Sequence, residues 1–106
     1  MYQIFGTKKC KDTQKALRYF KERKLDFQFI DLNIKGLSKG ELSNVLQFYT
    51  IDDIIDCQSK EYVARNFKYI VHDKMQIVLE FPLVLKTPII RHNKKVLLGI
   101  SDISNL

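Results

Sequence analysis

The 106-residue chain predicts an α/β fold built on a four-stranded mixed sheet, and three observations carry that expectation. A strand–helix–strand pattern fills the first 32 residues. Helical periodicities run through the middle, over about 38–80. Two β-rich segments separated by a tight turn follow. Strand, helix and strand over about 30 residues imply a right-handed crossover with the two strands parallel. Two short strands flanking a tight turn pair antiparallel instead.

Residues 2–5 read as the opening strand, 6–9 as a loop and 12–23 as a helix. In that helix Thr13, Ala16, Leu17 and Phe20 recur at helical spacing and form an apolar stripe for a sheet. Residues 25–32 alternate Leu25, Phe27 and Phe29 against Asp26 and Gln28, then loosen at Ile30, which marks the second strand. Ser38-Lys39-Gly40-Glu41 is a capping-box pattern, and the helix it opens is expected to bury Leu42, Val45, Leu46 and Tyr49. Thr50 is expected to cap a short turn over 52–55. Residues 60–69 read as a helix with Val63, Phe67 and Ile70 inward. Asp73 caps a further helix whose buried face is Met75, Val78 and Leu79, and Pro82 ends it. Residues 88–91 and 95–98 form the hairpin around His92-Asn93-Lys94, and Ser101 caps a last helical turn over 102–106.

The bulk properties describe an ordinary globule in one domain, residues 1–106, with 45% hydrophobic and 28% charged residues. No apolar run approaches the roughly 18 to 20 residues of a membrane span, and the N-terminus has no signal-peptide layout. Two cysteines make no disulfide framework, so a reducing cytoplasm is expected. The net charge of +6 suits nucleic acid, an acidic partner or an anionic small molecule such as glutathione. The lysines are dispersed, however, with no aromatic–basic stripe, so direct nucleic-acid binding is not expected. His72 and His92 have no ligand-spaced neighbours, and no metal site is expected.

Cys10 is the residue that points to chemistry. It stands where the opening strand's loop meets the first helix, flanked by Lys8, Lys9 and Lys11. Unpaired N–H groups at a helix start and nearby cations both favour a thiolate, which is the nucleophilic form. The competing reading is a half-buried cysteine serving as a small hydrophobe.

The run Gly6-Thr7-Lys8-Lys9-Cys10-Lys11-Asp12-Thr13-Gln14-Lys15-Ala16 resembles the opening loop of the arsenate reductase (ArsC)/Spx family of thioredoxin-fold proteins. The likeness continues through residues 26–31 and the Lys35-Gly36-Leu37-Ser38 turn. It returns at Phe81-Pro82-Leu83-Val84-Leu85-Lys86-Thr87-Pro88-Ile89-Ile90 and at Lys95-Val96-Leu97-Leu98-Gly99. The resemblance implies a thioredoxin-like fold with a helical insertion over about 38–80, and Cys10 as the nucleophile. It also implies a cis Thr87–Pro88 bond beside that cysteine, with Thr87 presenting its backbone to a bound thiol.

Thr13 stands where some relatives carry a second cysteine, so C-x-x-C chemistry is excluded. What remains is monothiol exchange, a mixed disulfide with glutathione, a glutaredoxin or another protein thiol. The Thr13 hydroxyl is a candidate donor to the Cys10 sulfur, and Lys9 and Lys11 are candidate substrate contacts. Relatives that reduce arsenate hold the oxyanion with arginines, at positions matching Thr87, the vicinity of Asp56 and the vicinity of Ile100. None is arginine here, which argues against arsenate reduction. Cys57, near the missing insertion arginine, is either a resolving thiol able to pair with Cys10 or a buried apolar residue. The family implies a second possibility, a non-enzymatic regulator of the Spx kind that docks on an RNA polymerase subunit.

Overall fold

Ile4 and Phe5 are adjacent in sequence and both fully buried, so the strand that carries them is covered on both faces. In the computed structural model that strand, β1 (Tyr2–Gly6), lies inside one sheet with β2 (Phe27–Asp31), β3 (Ile89–His92) and β4 (Lys95–Leu98), in the order β2-β1-β3-β4. The structure describes residues 2–65, 73–93 and 95–100. β1 pairs parallel with β2 and antiparallel with β3, and β3 pairs antiparallel with β4, as the crossover and the hairpin require. Thioredoxin-like architecture is thereby established: a βαβ unit, a helical insertion and a β-hairpin around a mixed sheet.

The alternation along each strand divides the core in two. Ile4 and Ile90 face α1 (Lys11–Glu22) and pack with Ala16 and Phe20, with Phe27, Phe29 and Leu97 against them. Phe20 centres this half, with its ring 4.8 Å from Tyr2 and 5.9 Å from Phe27. Phe5, Ile30, Ile89 and Val96 face the other way and pack beneath the insertion. The apparent loosening of the strand pattern at Ile30 is this change of face.

The insertion contains α2 (Lys39–Val45), α3 (Ile51–Ile54), α4 (Lys60–Ala64) and α5 (Lys74–Glu80), with a 3₁₀ turn over Pro82–Val84. The Ser38–Glu41 capping box forms as expected: Glu41 N–H donates to Ser38 Oγ at 3.2 Å, and Ser38 N–H donates to the Glu41 carboxylate at 2.8 Å. Thr50 and Asp53 make a second box, which starts α3 at Ile51 rather than at residue 52. Ser59 caps α4, whose described turns end at Ala64; the expected inward residues Phe67 and Ile70 lie outside the described residues.

Two burial expectations fail. Val63 is 60% exposed and Met75 is 43% exposed. In α5 the buried pair is Ile77 and Val78, one step around the helix from the face expected, and Leu79 is only half-buried. Seven residues make barely two turns, too few for periodicity to fix a face. His92 ends β3 and stacks on Tyr2 with ring centroids 3.8 Å apart. Asn93 supplies the positive φ of the hairpin turn, while His72, Lys94 and the expected last turn over 102–106 lie outside the described residues.

One isolated antiparallel bridge, Ile55 with Leu85, ties the insertion to the segment before β3. Around it Asp56 N–H donates to the Val84 carbonyl at 2.7 Å and Lys86 N–H to the Ile54 carbonyl at 2.8 Å.

The packing of β1 against α1 gives a paired test. A Cβ on Gly6 would lie within 2.7 Å of Thr13 Cγ2 and closer still to its Oγ1, whereas a Cβ on Gly40 meets nothing within 4 Å. Gly6→Ala is expected to destabilise by about 1–3 kcal/mol, and Gly40→Ala, within α2, to stabilise by about 0.5–1 kcal/mol. Urea denaturation midpoints measure both.

Candidate functional site: a thiol between the first helix and a cis-proline loop

Three segments meet at Cys10. The residue is the N-cap of α1, with extended backbone (φ −74°, ψ 121°), and its carbonyl accepts from Gln14 N–H at 3.0 Å. From β1 to β3 the register pairs Phe5 with Ile89, so the residues just before Ile89 fall beside the loop leaving β1. Those residues are Thr87 and Pro88, joined by a cis peptide bond, as the resemblance implied.

The resulting contact spans 77 positions of sequence. Thr87 Oγ1 donates to Cys10 Sγ at 3.0 Å, and the Cys10 thiol points toward the Thr87 carbonyl at 3.9 Å. Thr13, one turn into α1, is fully buried, and its Oγ1 has no well-aligned hydrogen-bond partner of its own. A buried hydroxyl without a partner is costly in isolation.

The thiol's acidity follows from these contacts. Burial pushes the Cys10 pKa up, but the nearby Thr13 hydroxyl, the hydrogen bond from the Thr87 hydroxyl and the Thr13 and Asp12 backbone N–H groups outweigh it. The net shift is downward. The helix start contributes as expected, through its free N–H groups. The flanking lysines are not among the causes. Lys8 and Lys9 are exposed and line other concavities, Lys8 beside Gln28 and Phe29, Lys9 beside Asn33 and Lys60; Lys11 is also exposed.

Half-buried Cys10 opens onto a cleft of about 540 Å³, lined also by Asp12, Asp56, Leu85, Lys86, Thr87, Leu98 and Gly99. The Ile55–Leu85 bridge brings Asp56 there. Cys57, the next residue, is not among the lining residues. It is exposed rather than a buried apolar residue, and it lies against Tyr62. Two arginines are engaged elsewhere. Arg91 donates to Asn44 Oδ1 at 2.9 Å and to Gln3, and pairs with Glu41 at 3.5 Å. Arg65 pairs with Glu61 at 2.8 Å and lies over the Phe81 ring. No group of three or more metal-ligating side chains occurs among the described residues, and no described helix is long and apolar enough to cross a membrane. What the sequence missed is the Thr87 hydroxyl, since its value depends on a partner 77 positions away.

The chain is similar to the global transcriptional regulator Spx of Streptococcus pyogenes serotype M1, at 25% identity over 107 residues, spanning 96% of this chain and 80% of that protein. Spx 2 of Bacillus anthracis, also a global transcriptional regulator, matches at 22% identity over 96% of this chain and 82% of that protein. Among solved structures, a putative arsenate reductase from Yersinia pestis superposes over the whole of both chains with a TM-score of 0.85, at 15% identity. No protein-family model matches.

Thr87→Val removes a donor to the sulfur and so raises the Cys10 pKa. The thiolate fraction at neutral pH falls, and alkylation slows with it. Iodoacetamide labelling at pH 7, read by peptide mass with Cys57 as comparator, is expected to show slower Cys10 modification in Thr87→Val and an unchanged rate at Cys57.

Proposed function

We propose that this chain, an ArsC/Spx-family thioredoxin-fold protein by sequence similarity and fold, is a monothiol exchange protein acting through Cys10. The observation that carries the reading is the Cys10 sulfur held by the Thr87 hydroxyl at 3.0 Å, with its pKa lowered, at the edge of an open cleft. The Cys10 thiolate attacks one sulfur of a disulfide R–S–S–R′. The new Cys10–S–S–R bond forms as the old S–S bond breaks, and R′–S⁻ leaves and takes a proton from water. A second thiol, of glutathione, a glutaredoxin or another protein, then attacks the mixed disulfide and releases Cys10. Thr13 stands in the place of an internal resolving cysteine, so resolution comes from outside the motif.

Arsenate reduction is disfavoured by the same cleft. A tetrahedral oxyanion needs clustered cationic donors, and among the described lining residues two carboxylates, Asp12 and Asp56, oppose the single cation Lys86. Arg65 and Arg91 are committed to other partners. Cys57 is retained as a candidate resolving thiol only through a rearrangement that brings it to the cleft.

Similarity to proteins named global transcriptional regulators supports a second reading, a non-enzymatic regulator that binds an RNA polymerase subunit. Two experiments separate the readings. With the neutral disulfide 2-hydroxyethyl disulfide, the exchange reading expects one reversible adduct at Cys10 and none there in Cys10→Ser, scored by peptide mass. With purified polymerase subunits, the regulator reading expects stoichiometric binding that survives Cys10→Ser. The absence of any Cys10 adduct sinks the first reading, and the absence of subunit binding sinks the second.

A further inference from the structure

Among the described residues that line the Cys10 cleft, the charge is opposite in sign to the charge of the chain. The protein carries +6 overall, yet the Cys10 cleft is lined by Asp12 and Asp56 against Lys86 alone. Of the lysines that flank Cys10 in sequence, Lys8 and Lys9 line other concavities and Lys11 is not among the residues that line this one. Neither cleft carboxylate is taken up by a salt bridge among the described residues; Asp56 Oδ1 accepts only the backbone N–H of Gln58, at 2.9 Å. The apolar walls are Leu85 and Leu98. The Cys10 sulfur itself, which accepts from the Thr87 hydroxyl at 3.0 Å, stands among these groups in the lining of the cleft.

From this arrangement we infer that the thiol partner of Cys10 is a peptide segment whose cysteine is flanked by lysine or arginine, and that glutathione is a poor partner. Lysine and arginine side chains match both features of the cleft, their methylene stems lying on Leu85 and Leu98 and their cationic tips reaching Asp12 and Asp56. Each glutathione moiety carries two carboxylates and one ammonium group, a net negative charge that the two aspartates repel. The inference rests on the exchange reading above and specifies its substrate class. Its chemistry is the same balanced exchange: the partner cysteine enters as a disulfide, one of its sulfurs bonds to Cys10, and the other leaves as a thiolate.

The test uses Cys57→Ser protein, so that Cys10 is the one thiol. Two pentapeptides with a central cysteine flanked by lysines or by glutamates are each supplied as the mixed disulfide with 2-mercaptoethanol, beside glutathione disulfide and neutral 2-hydroxyethyl disulfide. The rate of Cys10 loss is followed at low and high salt. The lysine peptide is expected to react at least about tenfold faster than the glutamate peptide or glutathione disulfide at low ionic strength, with the gap narrowing as salt screens it. Asp12→Asn with Asp56→Asn is expected to remove most of the preference, measured as the ratio to the neutral probe. Equal rates, faster reaction of the anionic probes, or a preference that persists in the double variant overturns the inference while leaving exchange at Cys10 intact. Failure of the neutral probe together with both peptides removes the exchange reading and this inference with it.

Discussion

The register of β1 against β3 is the constraint on which the site depends. Phe5 opposite Ile89 sets the end of one strand beside the beginning of another that lies more than 80 residues later in the chain. Cys10 follows the first strand and Thr87 precedes the second, so this one alignment delivers a hydroxyl to a sulfur. A slip of one residue would exchange Ile4 with Phe5, or Ile89 with Ile90, between the two faces and mismatch the packing of both halves of the core. The hydrophobic pattern that fixes the sheet therefore also fixes the contact between Thr87 and Cys10. The Ile55–Leu85 bridge extends the same logic to the insertion, since it holds Asp56 at the rim of the cleft.

The electrostatics of Cys10 are settled by short-range donors rather than by net charge. A chain of +6 with three lysines flanking a cysteine invites an account in which cations stabilise the thiolate. In the folded protein those lysines are exposed, while hydroxyl and amide hydrogens point at the sulfur. Hydrogen bonds to the charged form act at contact distance and resist salt, whereas exposed ammonium groups are screened. The cleft beside the sulfur is lined by two carboxylates and one ammonium group, so the donors that act on the thiol are distinct from the charges that line its opening.

Much of the fold was readable in the residues, for identifiable reasons. The Thr13–Ala16–Phe20 stripe, the Ser38 capping box and the parallel and antiparallel pairings are local or nearly local signals, and the structure reproduces each. The inward faces of α4 and α5 were misread at Val63 and Met75, because helices of five and seven residues leave periodicity almost nothing to average over. At the site, the cis Thr87–Pro88 bond and its place beside Cys10 were anticipated from the family resemblance. The Thr87 hydroxyl, the acidic rim and the diversion of the lysines were not, since each depends on where distant segments meet.

Hydrogen-bond donors, not cations, hold Cys10 below the ordinary thiol pKa. The most direct measurement is the ultraviolet thiolate titration of Cys10 in Cys57→Ser protein, at low and high salt. The expected midpoint lies below that of a free cysteine thiol titrated under the same conditions, and salt leaves it in place. A midpoint at or above that of the free thiol, or one that rises to it when salt is added, would mean that donors do not hold the thiolate.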